Sequence, residues 1–297
     1  MTDRQFILRS LMFVPGHNEK LLLSAARSNA DAILLDLEDS VRSKENKQIA
    51  RDKIQEKVTS GLFNKFAVFP RVNDRQSGHL LKDVYQLTIE GIAGFMYPKS
   101  VTGQDIYFFD KLLETIESEK GYPIGTFKII ALIETTAAVL NAQDICKASD
   151  RVIALAFGCE DFVSDLEGVH DLEGQSIRSA RALIAMAARA NGVIPIDTVH
   201  IHVHDLQDLE KNVKFARILG FEGMLILHPK EIEIAHRYFT PSEQEVEDAR
   251  EMLRLAKEVE EQGRGVAVIN GKFIGPPMVV AAKKLLERHR AIMKKYD

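Results

Sequence analysis

The sequence predicts a closed (β/α)8 barrel, the fold in which eight parallel strands alternate with helices. Eight short apolar runs recur along the 297 residues, and seven amphipathic stretches separate them. Runs such as 129–133 and 152–157 are apolar at every position, which is typical of parallel strands covered by helices on both faces. Acidic residues directly follow several runs, so charged side chains are expected at the carboxyl end of the barrel.

The individual elements follow from these patterns in chain order. Strands are predicted at 8–14, 32–37, 66–72, 94–98, 127–133, 152–157, 194–199 and 223–227. Amphipathic helices are predicted between them at 19–28, 44–59, 79–90, 105–117, 136–147, 176–191 and 206–219.

The organisation changes after residue 238, so we predict a barrel domain at 1–238 and a separate segment at 239–297. Thr240-Pro241-Ser242 predicts the start of a charged helix over 243–262. Asn270-Gly271 predicts a turn, and a last helix is expected at 279–294. The segment is too short for a core of its own, so we expect a helical lid or an oligomerisation element.

Composition argues against several classes of function. The net charge of −4 and the pI near 6.2 lack the basic field of a nucleic-acid-binding protein. The apolar runs are far shorter than the roughly 20 residues of a membrane span. Cys146 and Cys159 make no disulfide framework, and residues 2–5 lead into the first strand without the pattern of a secretory signal. We therefore expect a soluble cytoplasmic protein.

Glu134 and Asp161 follow the fifth and sixth predicted strands. Adjacent strands lie about 4.8 Å apart, so carboxylates at their ends can share one cation. Oxygen ligands without cysteine or histidine spacing favour Mg²⁺, or Mn²⁺, over zinc, and two protein ligands leave positions for water and substrate. The alternative is that each acid is an isolated charge on the barrel rim. Glu160, beside Asp161, is a candidate substrate contact.

Arg71 closes the third predicted strand. A guanidinium there is suited to bidentate capture of a substrate carboxylate, although pairing with a barrel acid explains it equally well. Three further acids, which follow the second strand, are expected to support the site from the same mouth: Asp36, Glu38 and Asp39. Lys99 is interpreted either as a cation near these carboxylates or as a Schiff-base lysine.

Three histidines, His200, His202 and His204, alternate after the seventh predicted strand. They would point to one side of an extended chain, and both a zinc site and contact with substrate stay open. His228 closes the eighth strand and is expected to form part of the pocket wall.

Eight short motifs together resemble, in their order along nearly the whole chain, the citrate lyase β-subunit family, which includes malyl-CoA and citramalyl-CoA lyases. The motifs are Arg9–Gly16, Asp36–Val41, Arg71–Asn73, Pro98-Lys99, Ile133–Thr135, Glu160–Phe162, Phe239–Ser242 and Asn270–Lys272.

The resemblance implies a TIM barrel of the phosphoenolpyruvate-binding superfamily, assembled as a homotrimer or as a hexamer built from trimers. It implies Mg²⁺ held by Glu134 and Asp161, and a substrate carboxylate held by Arg71. Phe13 and Lys20 would lie along the thioester carrier, CoA or an acyl-carrier subunit, although a solvated helix lysine is the alternative for Lys20. The implied reaction is cleavage of a 3-hydroxy-3-carboxyacyl thioester into an acyl-thioester and a 2-keto acid.

The chain departs from this family at Gly275. In the relatives an aspartate at this place enters a neighbouring subunit's site, where it serves proton transfer to the enolate or thioester hydrolysis. Glycine carries no proton, and general acid–base help is typically worth about 10²–10⁴-fold in rate. Three functions therefore stay open: the lyase, a condensing and thioester-hydrolysing enzyme like malate synthase, and a keto-acid-binding protein with weakened lyase activity.

Overall fold

Eight parallel strands close into a barrel in the computed structural model, which confirms the predicted fold class. Each strand pairs with the next along the chain, and the eighth pairs with the first. The structure describes residues 6–171, 173–261, 265–269 and 272–295.

All eight predicted strands are present within a few residues of their expected bounds. They are β1 (Ser10–Pro15), β2 (Ala32–Asp36), β3 (Ala67–Arg71), β4 (Gly94–Tyr97), β5 (Lys128–Ile133), β6 (Val152–Phe157), β7 (Ile194–Asp197) and β8 (Gly223–Ile226). Every residue of β2, β4 and β8 is buried, including Asp36 at the end of the apolar run of β2.

The described helices are α1 (Glu19–Ala25), α2 (Lys44–Thr59), α3 (Leu80–Leu87), α4 (Gly103–Lys120), α5 (Thr136–Leu140), α6 (Ala142–Lys147), α7 (Cys159–Asp165), α8 (Gln175–Ala190), α9 (Leu206–Leu219), α10 (Glu231–Phe239), α11 (Glu243–Glu261) and α12 (Pro276–Met293). A 3-10 turn at Arg75–Ser77 precedes α3.

The helix predicted at 136–147 is two helices, α5 and α6, which meet at Asn141. The Asn141 side chain donates to the Val101 carbonyl at 3.1 Å, so this residue is tied to the neighbouring loop at the break. The two short helices α7 and α10 were not predicted.

Capping residues set several of the helix bounds. The Ser43 hydroxyl accepts the Asn46 N–H where α2 begins, and the Asp205 carboxylate accepts the Asp208 N–H where α9 begins. Helix α9 ends at Gly220, whose φ of 97° lies in the left-handed region that favours glycine.

Residues Leu8–His236 form one compact unit that contains the barrel. The described residues before Leu8 and after His236 form a second unit. In that unit α11 packs against α12, and strands β9 (Ala267–Ile269) and β10 (Lys272–Ile274) pair antiparallel. The predicted turn at Asn270-Gly271 lies outside the described residues, and the lid or oligomerisation role stays a prediction.

None of the described helices is both long and apolar enough to cross a bilayer.

Candidate active site

The carboxyl ends of the strands surround a cavity of about 750 Å³, a size usual for small-molecule sites. Its wall brings together eight of the predicted site residues: Phe13, Asp36, Asp39, Arg71, Glu134, Glu160, Asp161 and His228. The other candidates lie outside this wall: Lys20, Glu38, Lys99, His200, His202 and His204.

Glu134 directly follows β5 and is 3% exposed. Its Oε1 accepts the backbone N–H of Lys99 at 2.6 Å. Burial raises the pKa of Glu134 to about 8, and the nearby charges of Glu38 and Asp161 act in the same direction. The ionised carboxylate therefore has too little positive charge near it, and a bound cation would stabilise it.

Asp161 lies in the first turn of α7, which follows β6. Strands β5 and β6 are neighbours, with Ile133 opposite Phe157, so Glu134 and Asp161 approach the cavity from adjacent strand ends. Two hard oxygen donors in this arrangement fit a divalent cation of the magnesium type. Among the described residues no three His, Cys, Asp or Glu side chains form a complete metal cluster. Water and substrate would supply the remaining ligands, and the ligand assignment stays a prediction.

Arg71 is held by three acids. Its Nε and Nη2 donate to the two oxygens of Asp36 at 2.7 and 2.8 Å, a pairing that the β2–β3 register sets directly. Its Nη1 donates to Asp39 at 2.9 Å and lies 3.1 Å from Glu38. Burial opposes ionisation of Asp36, but the Arg71 charge outweighs it, so the pKa of Asp36 is lowered.

The ion pair with a barrel acid is therefore one role of Arg71, and the second role, carboxylate capture, stays a prediction. The Asp39 side chain is 64% exposed. An exposed ion pair is weak, so a substrate carboxylate can take the place of Asp39 on Nη1 while Asp36 keeps the guanidinium fixed. The Phe13 ring lies 4.8 Å from the Arg71 guanidinium carbon and covers it.

Glu38 lies behind Arg71 and is buried. Burial, together with repulsion by Asp39, raises the pKa of Glu38 to about 7, although Arg71 and Lys99 oppose the shift. The Lys99 ammonium lies 3.3 Å from Glu38 and 3.6 Å from Asp74. These contacts favour a charge-balancing cation over a Schiff-base lysine at position 99.

Lys20 is exposed on α1, and its predicted contact with the thioester carrier stays a prediction. Leu21 and Ser24 of the same helix line the cavity instead.

Residues 9–229, most of the chain, match the HpcH/HpaI aldolase/citrate lyase family. The chain belongs to this family.

Two relatives and a solved structure illustrate the match. Citrate lyase subunit beta of Haemophilus influenzae is 34% identical over 283 residues, which are 95% of this chain and 97% of that protein. L-malyl-CoA/beta-methylmalyl-CoA lyase of Cereibacter sphaeroides is 29% identical, over 96% of this chain and 95% of that one. The crystal structure of CitE from Mycobacterium tuberculosis, solved with magnesium, acetoacetate and coenzyme A, aligns with a TM-score of 0.75 at 24% identity, over 95% of this chain and 97% of that one.

These matches confirm the predicted family and the prediction of a carbon–carbon lyase. The structural likeness supports the barrel fold.

The three histidines do not form one group: the His200 and His202 rings lie 6.1 Å apart and line one pocket, whereas His204 is not in the wall of that pocket. Strand β7 ends at Asp197, and the histidines lie in the loop before α9 rather than in an extended strand. His200 is buried, His202 is exposed, and the His204 ring lies 6.0 Å from that of His228. No zinc cluster forms from the described histidines.

Gly158, which no sequence pattern singles out, allows the end of β6 to approach Glu134. A Cβ at position 158 would lie 2.9 Å from Cβ and 3.2 Å from Oε2 of Glu134. We expect Gly158→Ala to displace the carboxylate and weaken Mg²⁺ binding about 10–100-fold, as loss of support for a metal ligand typically does. Isothermal titration calorimetry with MgCl₂ measures the change. Gly265→Ala is the control because open space surrounds that position; equal affinities in the two variants would contradict the prediction.

Glu231 is the first residue of α10, which follows β8, and it is expected to make the free energy of unfolding depend on pH. Its side chain is fully buried, one oxygen accepts the Leu227 N–H at 3.0 Å, and the other has no hydrogen-bond partner among the described residues. Burial raises its pKa to about 7. The folded state thus holds the proton more tightly than the unfolded state, so stability is lost as the pH rises from about 4.5 through 7.

We expect Glu231→Gln, which cannot ionise, to exceed the wild-type free energy of unfolding at pH 8.5 by about 1–3 kcal/mol. The difference should shrink at pH 5, where wild-type Glu231 is protonated in the folded protein. Urea unfolding at both pH values tests this, and a difference independent of pH would contradict it.

Proposed function

We propose that this chain is a Mg²⁺-dependent lyase that cleaves a 3-hydroxy-3-carboxyacyl thioester of the citryl-, malyl- or citramalyl-CoA type. The products are an acyl-thioester and a 2-keto acid. The observation that carries the proposal is the presence of Glu134, Asp161 and Arg71 on the wall of one cavity. The similarity to citrate lyase β subunits and to a malyl-CoA lyase supports it.

Glu134 and Asp161 would hold the Mg²⁺, because both are hard oxygen donors and Glu134 is short of positive charge. Bound there, Mg²⁺ would supply the positive charge that makes a substrate hydroxyl more acidic. The Lys99 N–H and the missing side chain at Gly158 keep Glu134 in its position.

Arg71 would bind the carboxylate of the keto-acid half. Because Asp36 fixes the guanidinium at two points, little conformational freedom is lost when the substrate binds. The thioester carrier, CoA or an acyl-carrier subunit, would lie along Phe13, Leu21 and Ser24, which also line the cavity. The proposal includes assembly as a homo-oligomer, a trimer or a hexamer.

In the proposed reaction the bond between the hydroxyl-bearing carbon and the carbon next to the thioester carbonyl breaks. The hydroxyl loses its proton to water and becomes the keto oxygen, and the electron pair of the broken bond passes to the thioester enolate. The enolate carbon then takes up one proton to give the acyl-thioester. Since Gly275 offers no acid, this last proton would come from water, and the reaction would be slower than in relatives with an aspartate.

The test is to incubate the purified protein with malyl-CoA, citramalyl-CoA and citryl-CoA, in MgCl₂ and in EDTA. Keto acid and free thiol are measured separately. A lyase releases keto acid and acyl-CoA without free CoA, and only with Mg²⁺. Free CoA together with a hydroxydicarboxylate would indicate thioester hydrolysis instead. Keto-acid binding without turnover would indicate a binding protein, and failure of all three thioesters to yield keto acid overturns the proposal.

A further inference from the structure

A second, smaller pocket lies between the ends of β6 and β7. It has a volume of about 80 Å³, several times the roughly 10–15 Å³ that one water molecule requires. Helices α8 and α9 contribute Ser176 and Asp208 to its wall, and the β7–α9 loop contributes His200. We call it the histidine pocket.

His200 has an unused hydrogen-bonding atom in this pocket. The residue is 6% exposed, and its Nε2 has no hydrogen-bond partner among the described residues. The ring makes a hydrogen bond to the backbone of Asp205, and this bond favours the protonated ring. Because Nε2 has no partner among the described residues, the bond is assigned to Nδ1 as donor to the Asp205 carbonyl. Burial nevertheless lowers the pKa of His200, so the ring is neutral at pH 7 and Nε2 carries a lone pair.

Ser176 offers a second unused atom. Its Oγ is buried and has no partner among the described residues, and its side chain lines the same pocket as His200. A buried polar atom without a hydrogen bond is unfavourable, and two of them in one pocket point to a polar ligand.

The charges around the pocket argue against an anion. Asp208 Oδ2 lies 3.9 Å from His200 Nε2, and Glu160 is also in the wall. The positive charge of Arg181 is taken by Asp197, to which it donates two hydrogen bonds. A carboxylate or a phosphate would therefore be repelled. A hydroxyl group fits, because it can donate to Nε2 and accept from the Ser176 hydroxyl.

The position of the pocket relates it to the keto acid. Cys159 and Glu160 line both the histidine pocket and the large cavity, and Asp161 follows them directly. A keto acid held at Asp161 would thus have its substituent beside the histidine pocket. We propose that His200 and Ser176 bind a hydroxyl group on the keto-acid half of the substrate, so that this enzyme prefers hydroxylated 2-keto acids. The inference rests on the proposed function.

The experiment compares pyruvate with 3-hydroxypyruvate, which differ by one hydroxyl. With acetyl-CoA and Mg²⁺, kcat/KM for condensation is measured for both acids, and calorimetry with Mg²⁺ gives their Kd values. We expect the wild type to prefer 3-hydroxypyruvate about tenfold or more in both measurements, since a site built to bind a hydroxyl discriminates against its absence.

Ser176→Ala and His200→Phe should each reduce this preference about tenfold. Ser176→Ala is a small change, so it tests the role of the pocket even if His200→Phe fails to fold. Ser179→Ala on the exposed side of α8 is the control and should keep the wild-type preference. Equal use of both acids by the wild type, or an unchanged ratio of 3-hydroxypyruvate to pyruvate use in both variants, overturns the proposed role of the pocket but leaves the proposed function standing. If no keto acid binds or reacts, the proposed function falls together with it.

Discussion

Replacement of Glu134 by glutamine is expected to reduce Mg²⁺-dependent thioester cleavage by about 10³-fold or more. The amide keeps the size of the side chain but removes a charged oxygen ligand. Metal-ion stabilisation of a developing negative charge is worth several kcal/mol, and each 1.4 kcal/mol is tenfold in rate. Steady-state kinetics with the most reactive thioester measure the loss, and calorimetry should show a matching loss of Mg²⁺ affinity.

Thermal unfolding separates this effect from misfolding. Wild-type protein should gain in Tm when MgCl₂ is added, because a ligand that binds only the folded state stabilises it. Glu134→Gln should fold without Mg²⁺ at least as well as the wild type, since the amide needs no proton to stay neutral in this buried position, and should gain nothing from the metal. Glu90→Gln, at an exposed position, controls for the loss of one negative charge. A Glu134→Gln variant with wild-type Mg²⁺ affinity would contradict the assignment.

The barrel could be predicted because its signal is local. A parallel strand buried on both faces needs an apolar residue at every position, and β6 and the part of β5 after Lys128 satisfy this. Short helices leave little such signal. Helix α7 has seven residues, of which three are Asp or Glu, so its pattern did not separate it from a loop.

The strand-end acids could be predicted for a geometric reason. All parallel strands present their carboxyl ends at the same mouth, so Glu134 and Asp161 had to lie near one another once the order of the strands was known. How each acid is held depends on long-range contacts. The Lys99 N–H donates to Glu134, which is 35 residues away in the sequence. The φ of Lys99 is 51°, a conformation that is uncommon for residues other than glycine and that a lysine in the sequence does not predict.

The histidines show where local reasoning fails. Their alternation is informative only in an extended strand, and β7 ends at Asp197, before the first of them. At this end of the strand Asp197 pairs with Arg181 of α8, and the Thr198 hydroxyl accepts the Cys159 N–H at 3.2 Å. These contacts with neighbouring elements hold the residues that lead into the loop, and nothing in the spacing of the histidines reveals them.

Restoration of an acid at position 275 should produce the largest gain in activity. If the family's aspartate delivers the proton to the enolate, Gly275→Asp should raise kcat for thioester cleavage by about 10²-fold or more. The backbone there is extended, with φ of −159° and ψ of 171°, so any residue can adopt it. An added Cβ would lie 2.8 Å from the Phe273 ring, which is half-exposed and able to turn away.

Gly275→Asn is the matched control for this gain. Gly275 is the N-cap of α12 and offers no side-chain hydrogen bond, so aspartate and asparagine should both cap the helix and stabilise it by a few tenths of a kcal/mol. Only aspartate can carry a proton. A rise in kcat with Asp but not with Asn therefore identifies acid–base chemistry, with solvent isotope effects on kcat as a second readout. Equal rates in the two variants would mean that position 275 acts through helix capping alone, or that the proton reaches the enolate by a route that bypasses this residue.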